Sequence, residues 1–343
     1  MSVMPESRFF HVSPTGAVTS LASLADTLAA RAGGGYVWLD YVNPTRDDLA
    51  ALIEPLGLHP LAIEDCLDED QVPKMEEYPG HTFLLFNRFG REGQDLTIEE
   101  VNYFVGPSFL VSVAAHARTP VRHDRLEKAL AIEQVAVGRG PDYLLHMCLD
   151  AIVDGTLPAI EALQDDLDHT EELTLTRERD AVDPGDLLDL RRNLLALRKS
   201  LFHEREVLMK ICRGDSPNLT QTSLFHFRDI YDHVVKFAEE IEECRDMIAT
   251  LLEVQLALAN NRLALVGNRT NHAVRRLTFI TTVFMPLSFL AGVGGMSEWS
   301  MMTGPHNWRI AYPAFLIAMA SVGAASYWIL KWLDRRATTR DGR

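Results

Sequence analysis

Two long runs without a formal charge, near the C-terminus, constrain this chain more than any other feature. The first covers residues 277–296 and the second covers residues 310–330. Each matches the roughly 20 helical residues that cross a hydrocarbon layer of ~30 Å. Helices buried in soluble proteins usually keep a polar stripe, and two adjacent uncharged runs argue against that alternative. The sequence therefore predicts two transmembrane helices.

Basic residues flank the two predicted spans on the same side of the membrane. Arg275 and Arg276 precede the first span, and Lys331 and Arg335 follow the second. Cytoplasmic segments carry the excess of Lys and Arg in membrane proteins. Both termini are therefore predicted to lie in the cytosol, in a chain that crosses the inner (plasma) membrane twice and has a short external loop at 297–309.

The first predicted span carries hydroxyl groups and glycines that a purely lipid-facing helix would not favour. Two helices cannot enclose a pore, so a pore along this span would need several copies in a symmetric ring. Close packing through small residues explains the same spacing equally well, and the periodicity alone leaves both interpretations open. The residues that recur on one helical side are Asn271, Leu277, Thr281, Met285, Ser288 and Gly292.

The N-terminal third of the chain has the pattern of an α/β domain. Apolar runs at 36–42, 81–89 and 101–115 predict strands, and the sequence between the first two is helical in pattern. Gly106-Pro107 interrupts the last run and predicts a turn between two strands.

From Asp142 onward the apolar spacing becomes helical. A last helical stretch begins near Ser223 and meets no proline before Pro286, which predicts one helix of some seventy residues that continues into the first span. Within it, Asn261-Arg262 recurs as Asn268-Arg269 seven residues later, on almost the same face. The predicted domains are a cytosolic α/β domain (1–141), a cytosolic helical region (142–222), a stalk helix (223–276), a pore-lining transmembrane helix (277–296), an external loop (297–309), a second transmembrane helix (310–333) and a cytosolic tail (334–343).

Charge and motif content exclude several classes of function. The chain has 48 acidic and 33 basic residues and a net charge of −15. A nucleic-acid binder needs Lys/Arg-rich faces, so cations are the more natural partner. The four cysteines lie apart, without metal-finger spacing, and are predicted to be free thiols. No phosphate-binding loop, zinc-protease, hydrolase or EF-hand motif occurs, so we predict no enzymatic activity and no cofactor beyond divalent cations.

Acidic side chains cluster at two places in the soluble region. Glu64 and Asp65 lie just before three more acidic residues at 68–70, and Asp229 lies near the start of the long helix. Carboxylates held close together repel unless a cation joins them, and such hard oxygen ligands suit Mg²⁺. Solvated surface charge is the plainer interpretation, and the residues alone favour it.

Six segments, in this order along the chain, carry a family resemblance: 59–78, 99–113, 142–154, 197–208, 228–235 and 277–296. Over nearly its whole length the chain resembles the CorA-type divalent-cation transporters. The resemblance implies an α/β cytosolic domain, a stalk helix and two membrane helices, assembled as a funnel-shaped homopentamer in the lipid bilayer. It thereby implies the ring that the periodicity could only suggest.

The resemblance also assigns roles to individual residues. The pore positions of the family fall on Asn271, Leu277, Met285 and Gly292, and on Ser288, where the family commonly has Thr. Its regulatory sites, where divalent cations bridge neighbouring cytosolic domains and hold the pore closed, fall on Glu64, Asp65 and Asp229. The Gly-Met-Asn of the outer mouth appears here as Gly295-Met296-Ser297, so that a hydroxyl replaces the carboxamide that contacts the hydrated ion.

These assignments imply transport of a divalent cation, with Mg²⁺ favoured and Co²⁺ or Ni²⁺ tolerated. Leu277 and Met285 are expected to form apolar constrictions, and Asn271 with the small polar groups is expected to hold a hydrated ion. The altered mouth keeps Zn²⁺ transport open, as in the ZntB branch of the family. A membrane-anchored cation sensor that does not conduct is the third alternative.

Overall fold

Two compact units make up the chain, Met1–Gln255 and Leu256–Arg343. The computed structural model describes residues 4–93, 95–118, 138–175, 184–295 and 297–340. The first unit contains β1 (Glu6–Val12), β2 (Val18–Leu21), α1 (Leu24–Arg31), β3 (Tyr36–Val42), α2 (Arg46–Ala50), α3 (Ile53–Leu56), α4 (Pro60–Leu67), β4 (Lys74–Tyr78), β5 (His81–Glu92), β6 (Asp95–Gly106), β7 (Phe109–Ala114), α5 (Pro141–Leu175) and α6 (Pro184–Arg213). Helix α7 (Leu224–Gly294) contributes to both units, and α8 (Ser297–Arg340) belongs to the second.

A seven-stranded sheet, counted over the described residues, forms the centre of the first unit. Its order is β2-β1-β3-β7-β6-β5-β4. Strand β3 pairs with β7 in parallel, and the other neighbours are antiparallel. The predicted turn at Gly106-Pro107 is confirmed, because Gly106 pairs with Phe109 where β6 turns into β7.

Helices cover both faces of this sheet, which explains why its central strands read as continuous apolar runs. Val37 and Leu39 on β3 pack with the short helices α2 to α4. Trp38, between them in sequence, and Leu84 on β5 point to the opposite face, where α5, α6 and α7 pack. The α/β class predicted for this region is confirmed.

The sequence did not predict β1, β2 and β4, and all three lie toward the edges of the sheet. β2 and β4 are its two edge strands, and β1 is mostly half-exposed. β4 is only five residues long and three of them are charged, two in succession, so it shows no strict alternation and gives a weak signal. The central strands were visible from sequence because they are buried on both faces.

Helix α5 is long and apolar enough by composition to cross a membrane, like α7 and α8. However, 61% of its apolar window is buried inside the first unit, whereas none of the corresponding windows in α7 and α8 is buried. Its contacts are with β5 and other elements of the sheet. We therefore interpret α5 as a core helix and the apolar parts of α7 and α8 as the membrane segments.

The long helix predicted from about Ser223 is α7, which is continuous for 71 residues. The loop predicted at 297–309 was wrong, because α8 begins at Ser297 and is helical throughout that range. The prediction gave too little weight to Glu298, because an acidic residue near the start of a helix is favourable.

Candidate cation pathway

In the second unit, one face of α7 packs against α8. A Cβ atom built on Gly294 would lie 2.6 Å from the ring of Phe315, and one built on Gly323 of α8 would lie 3.6 Å from Leu287. The approach at Gly294 therefore requires glycine, whereas the contact at Gly323 is of ordinary van der Waals length. The half-buried residues of this α7 face are Phe279, Val283, Pro286, Leu287, Leu290 and Gly294.

The five predicted pore residues from Leu277 to Gly292 lie on the opposite side of α7. At about 100° per residue they fall within a sector of about 80°, whose centre is roughly opposite the face that packs on α8. Leu277 is 62% exposed and Met285 is 76% exposed. A Cβ atom built on Gly292 would meet nothing within 4 Å. This side of α7, which we call the open face, thus makes no contact with the described side chains of α8.

Thr281 presents an oxygen near the centre of the open face. Its hydroxyl donates to the backbone oxygens of Leu277, at 3.0 Å, and Thr278, at 3.1 Å. Because the proton is used within the helix, the outward side of the oxygen offers lone pairs only. Such an oxygen can accept from the water shell of a cation.

The two ends of the predicted pathway differ in how closely they follow the open face. Asn271 is exposed and lies about 80° from the centre of that face on a regular helix, at its edge. At the other end, the backbone nitrogen of Gly295 donates to Ala291 O at 3.0 Å. Met296 lies outside the described residues, and Ser297 is the first residue of α8.

The predicted regulatory carboxylates occupy two different elements of the first unit. Glu64 and Asp65 lie on α4, and Asp229 lies in the second turn of α7; Glu64 and Asp229 are exposed. Among the described residues no group of three His, Cys, Asp or Glu side chains is placed to hold a metal ion. Within one chain, the structure therefore does not bring these three carboxylates together as a site.

Asp65 already has a cationic partner that sequence reasoning missed. Lys74 Nζ donates to Asp65 Oδ2 at 2.6 Å and lies 3.3 Å from Glu76 Oε1. Partial burial lowers the pKa of Lys74, but the hydrogen bond to Asp65 and the charge of Glu76 raise it overall. Lys74 lies on β4, one of the unpredicted strands, so no sequence signal placed it beside α4.

The cysteines add no ligands to either set of residues. All four are free, as predicted. Burial raises the pKa of the thiols of Cys66 and Cys148, which keeps them protonated and makes them poor metal ligands.

Comparison with known proteins decides the family. The family described as CorA-like Mg2+ transporter protein matches residues 33–332. This chain belongs to that family. The cobalt/magnesium transport protein CorA of Thermotoga maritima is 31% identical over 299 residues, which are 83% of this chain and 79% of that protein. The resemblance in the sequence is thereby confirmed: the chain is a divalent-cation transporter of the CorA family and not an enzyme.

Solved structures share the fold. The complete structure of the CorA magnesium transporter from Methanocaldococcus jannaschii superposes with a TM-score of 0.68 at 20% identity, over 98% of both chains. The ZntB cytoplasmic domain from Vibrio parahaemolyticus superposes with a TM-score of 0.56 at 11% identity, over 74% of this chain and 97% of that one. These likenesses show that the chain shares the fold of both proteins.

Proposed function

We propose that five copies of this chain form a funnel-shaped homopentamer whose axial pore carries Mg²⁺, with Co²⁺ and Ni²⁺ tolerated. The observation that supports it best is the open face of α7, which turns away from α8 and combines apolar side chains with neutral oxygens. In a ring, Leu277 and Met285 form two apolar constrictions. Thr281 supplies an oxygen to the ion between these constrictions, Ser288 supplies one beyond Met285, and the more peripheral Asn271 supplies one before Leu277.

The chemistry of this face suits a cation that keeps its water. Mg²⁺ dehydrates reluctantly and usually retains several waters when bound. Hydroxyl and carboxamide oxygens hold that shell weakly enough to release it, which conduction requires. The open face carries no carboxylate between Leu277 and Gly292, so tight inner-sphere binding is avoided.

The orientation that we propose places both termini in the cytosol of a cell bounded by the inner (plasma) membrane. Arg275 and Arg276 flank one span and Lys331 flanks the other, so the basic residues stay on the cytosolic side. The acidic first unit then faces the cytosol. There it can respond to the concentration of free divalent cations.

Regulation is proposed to act through cations that bridge Glu64 and Asp65 of one copy and Asp229 of the next. Asp229→Asn removes one ligand charge and is expected to let flux persist at luminal Mg²⁺ concentrations that close the wild type. The measurement is uptake into proteoliposomes preloaded with increasing Mg²⁺. Asp232→Asn, one turn further along α7, is the matched control, and equal half-inhibition for all three proteins would contradict this role.

Zn²⁺ transport is the second candidate, and Ser297 is the observation that favours it. The family's outer mouth offers a carboxamide where this chain offers a hydroxyl, so selectivity at the first contact with the hydrated ion is altered. Uptake of Mg²⁺ and Zn²⁺ into proteoliposomes, compared with protein-free vesicles, tests both candidates. We expect Mg²⁺ flux in the wild type and a higher ratio of Mg²⁺ to Zn²⁺ flux in Ser297→Asn.

The same assay separates the remaining alternatives. Zn²⁺ flux without Mg²⁺ flux would overturn the assignment of Mg²⁺ while keeping the pore. No flux of any divalent cation under any gradient would instead favour a cation sensor that does not conduct.

A further inference from the structure

The surface between α6 and α7 in the first unit is a groove with uncovered apolar side chains. Each helix buries one row of residues at alternating steps of three and four, such as Leu194, Leu197 and Leu201 on α6. On each helix, the residues that directly follow the buried ones in sequence form a second row, and this second row borders the groove. Leu195 is 43% exposed and Phe202 is 51% exposed in that row.

Both walls of the groove keep this spacing, which is the pattern that receives a further helix through knobs-into-holes packing. The α6 wall contains Arg191, Leu195, Arg198, Phe202 and Arg205, with an arginine and an apolar residue alternating. The α7 wall contains Val235, Ala238, Ala249 and Leu252. Each of them directly follows a buried residue of α7, as on α6. A helix that docks here must therefore offer both apolar contact and negative charge.

The groove is cationic on a strongly acidic chain. Arg198 and Arg245 are paired with Glu242 inside it. Arg191, Lys199 and Arg205 make no ion pair with a carboxylate of the described residues. In all, five cationic side chains and two carboxylates line the groove, a net charge of +3 against −15 for the whole chain.

Helix α5 has an outer surface of complementary character. Asp154, Glu161 and Asp168 are exposed at seven-residue intervals, the same interval that separates Arg191, Arg198 and Arg205 on α6. Beside this acidic row lie three exposed small residues, Ala151, Gly155 and Pro158, on a neighbouring stripe. A Cβ atom built on Gly155 would meet nothing within 4 Å, so large side chains of another helix can approach closely.

We propose that the α6–α7 groove of one copy holds the acidic row of α5 from a neighbouring copy. The outer members of each row are 14 residues apart, or about 21 Å along a helix, so the three arginines and three carboxylates match in length. Leu195 and Phe202 pack on the small residues, while the charges pair alongside. Two different surfaces of the chain meet, and a contact of this kind forms a ring when its rotation closes after five copies. This interface rests on the proposed homopentamer.

Charge exchange in the full-length protein in detergent tests this interface. Arg191→Glu/Arg205→Glu places like charges opposite each other and is expected to raise the apparent dissociation constant of the oligomer by about tenfold or more, measured by native mass spectrometry on dilution. Asp154→Arg/Asp168→Arg is expected to do the same. The variant that combines all four substitutions is expected to return to within about threefold of the wild type, because the pairing is restored with opposite polarity.

Arg192→Glu/Lys236→Glu is the matched control, since it makes the same change in net charge on α6 and α7 without lining the groove. We expect it to leave the oligomer unchanged. If the combined variant does not regain the dissociation constant of the wild type, the interface is overturned. Recovery would show that each pair of substitutions had broken a contact and had not unfolded the protein. An oligomer indifferent to both pairs would overturn the interface alone. A wild type that is monomeric throughout would instead overturn the homopentamer itself.

Discussion

Gly292→Phe is expected to reduce divalent-cation flux to the level of protein-free vesicles while the protein still folds and assembles. A Cβ atom at this position meets nothing within 4 Å in the single chain. The new side chain would project from the open face of α7, on the side opposite α8. In a fivefold ring it would place five aromatic rings around the axis, where they would exclude a hydrated ion. Proteoliposome uptake measures the flux, and size-exclusion chromatography in detergent measures the assembly.

Gly294→Ala is the control, only two residues away on α7. Here even one methyl group would lie 2.6 Å from the ring of Phe315, so that α7 and α8 must separate or the ring must move. Overpacking of this kind costs about 1–3 kcal/mol. We expect this variant to lower the thermal stability and yield of the protein, with flux lost only in proportion to folded material. Full flux through Gly292→Phe in an intact oligomer would place Gly292 away from the pore.

The membrane segments were the most predictable part of this chain, and the reason is physical. A lipid environment demands about twenty uncharged helical residues, a requirement that sequence alone displays. The spacing of Leu277, Met285 and Gly292 also predicted that these residues share one side of α7, and it left open whether that side lines a pore or packs on another helix. The spacing could not show which side of α7 packs on α8, because the role of Gly294 depends on where Phe315 of α8 lies.

Contacts between elements distant in sequence were the least predictable. The pairing of Asp65 with Lys74 depends on an edge strand whose short, charged sequence gives no clear period. The groove between α6 and α7 shows the same limit. The seven-residue spacing of its arginines can be read from the sequence, but only the structure shows that Leu195 and Phe202 beside them are uncovered. Local rules therefore predicted the elements, and tertiary packing determined which of their side chains have partners.

Glu204 shows most clearly how packing overrides a local pattern. It occupies a position in the buried row of α6 where its neighbours in that row are leucines, and it is 1% exposed. Its Oε1 accepts from the backbone nitrogen of Asn87 on β5 at 3.3 Å and from Ser200 Oγ at 3.1 Å. The side chain of Asn87 also donates to Ser200 Oγ, at 2.7 Å. This small polar network joins α6 to the sheet inside an apolar core.

Burial raises the pKa of Glu204 to about 7, although the two hydrogen bonds act in the opposite direction. The folded state thus holds a proton that the unfolded state releases near its ordinary value of 4.5. The free energy of unfolding is therefore highest below pH 4.5 with respect to this group. It falls as the pH rises toward 7, and levels off above that. Between these two limits the ionisation of Glu204 lowers the free energy of unfolding by about 3 kcal/mol.

Glu204→Gln is expected to remove this dependence, because a carboxamide keeps hydrogen-bonding capacity without a charge to bury. The variant should be more stable than the wild type at pH 8, by up to about 3 kcal/mol, and much closer to it at pH 5. Urea unfolding of the full-length protein in detergent, followed by far-UV circular dichroism at both pH values, measures the difference. Glu206→Gln, two residues further along α6 and outside the buried row, should show no such gain. An equal gain for Glu204→Gln at pH 5 and pH 8 would mean that the carboxylate is not what destabilises the wild type. The benefit would then arise from packing alone.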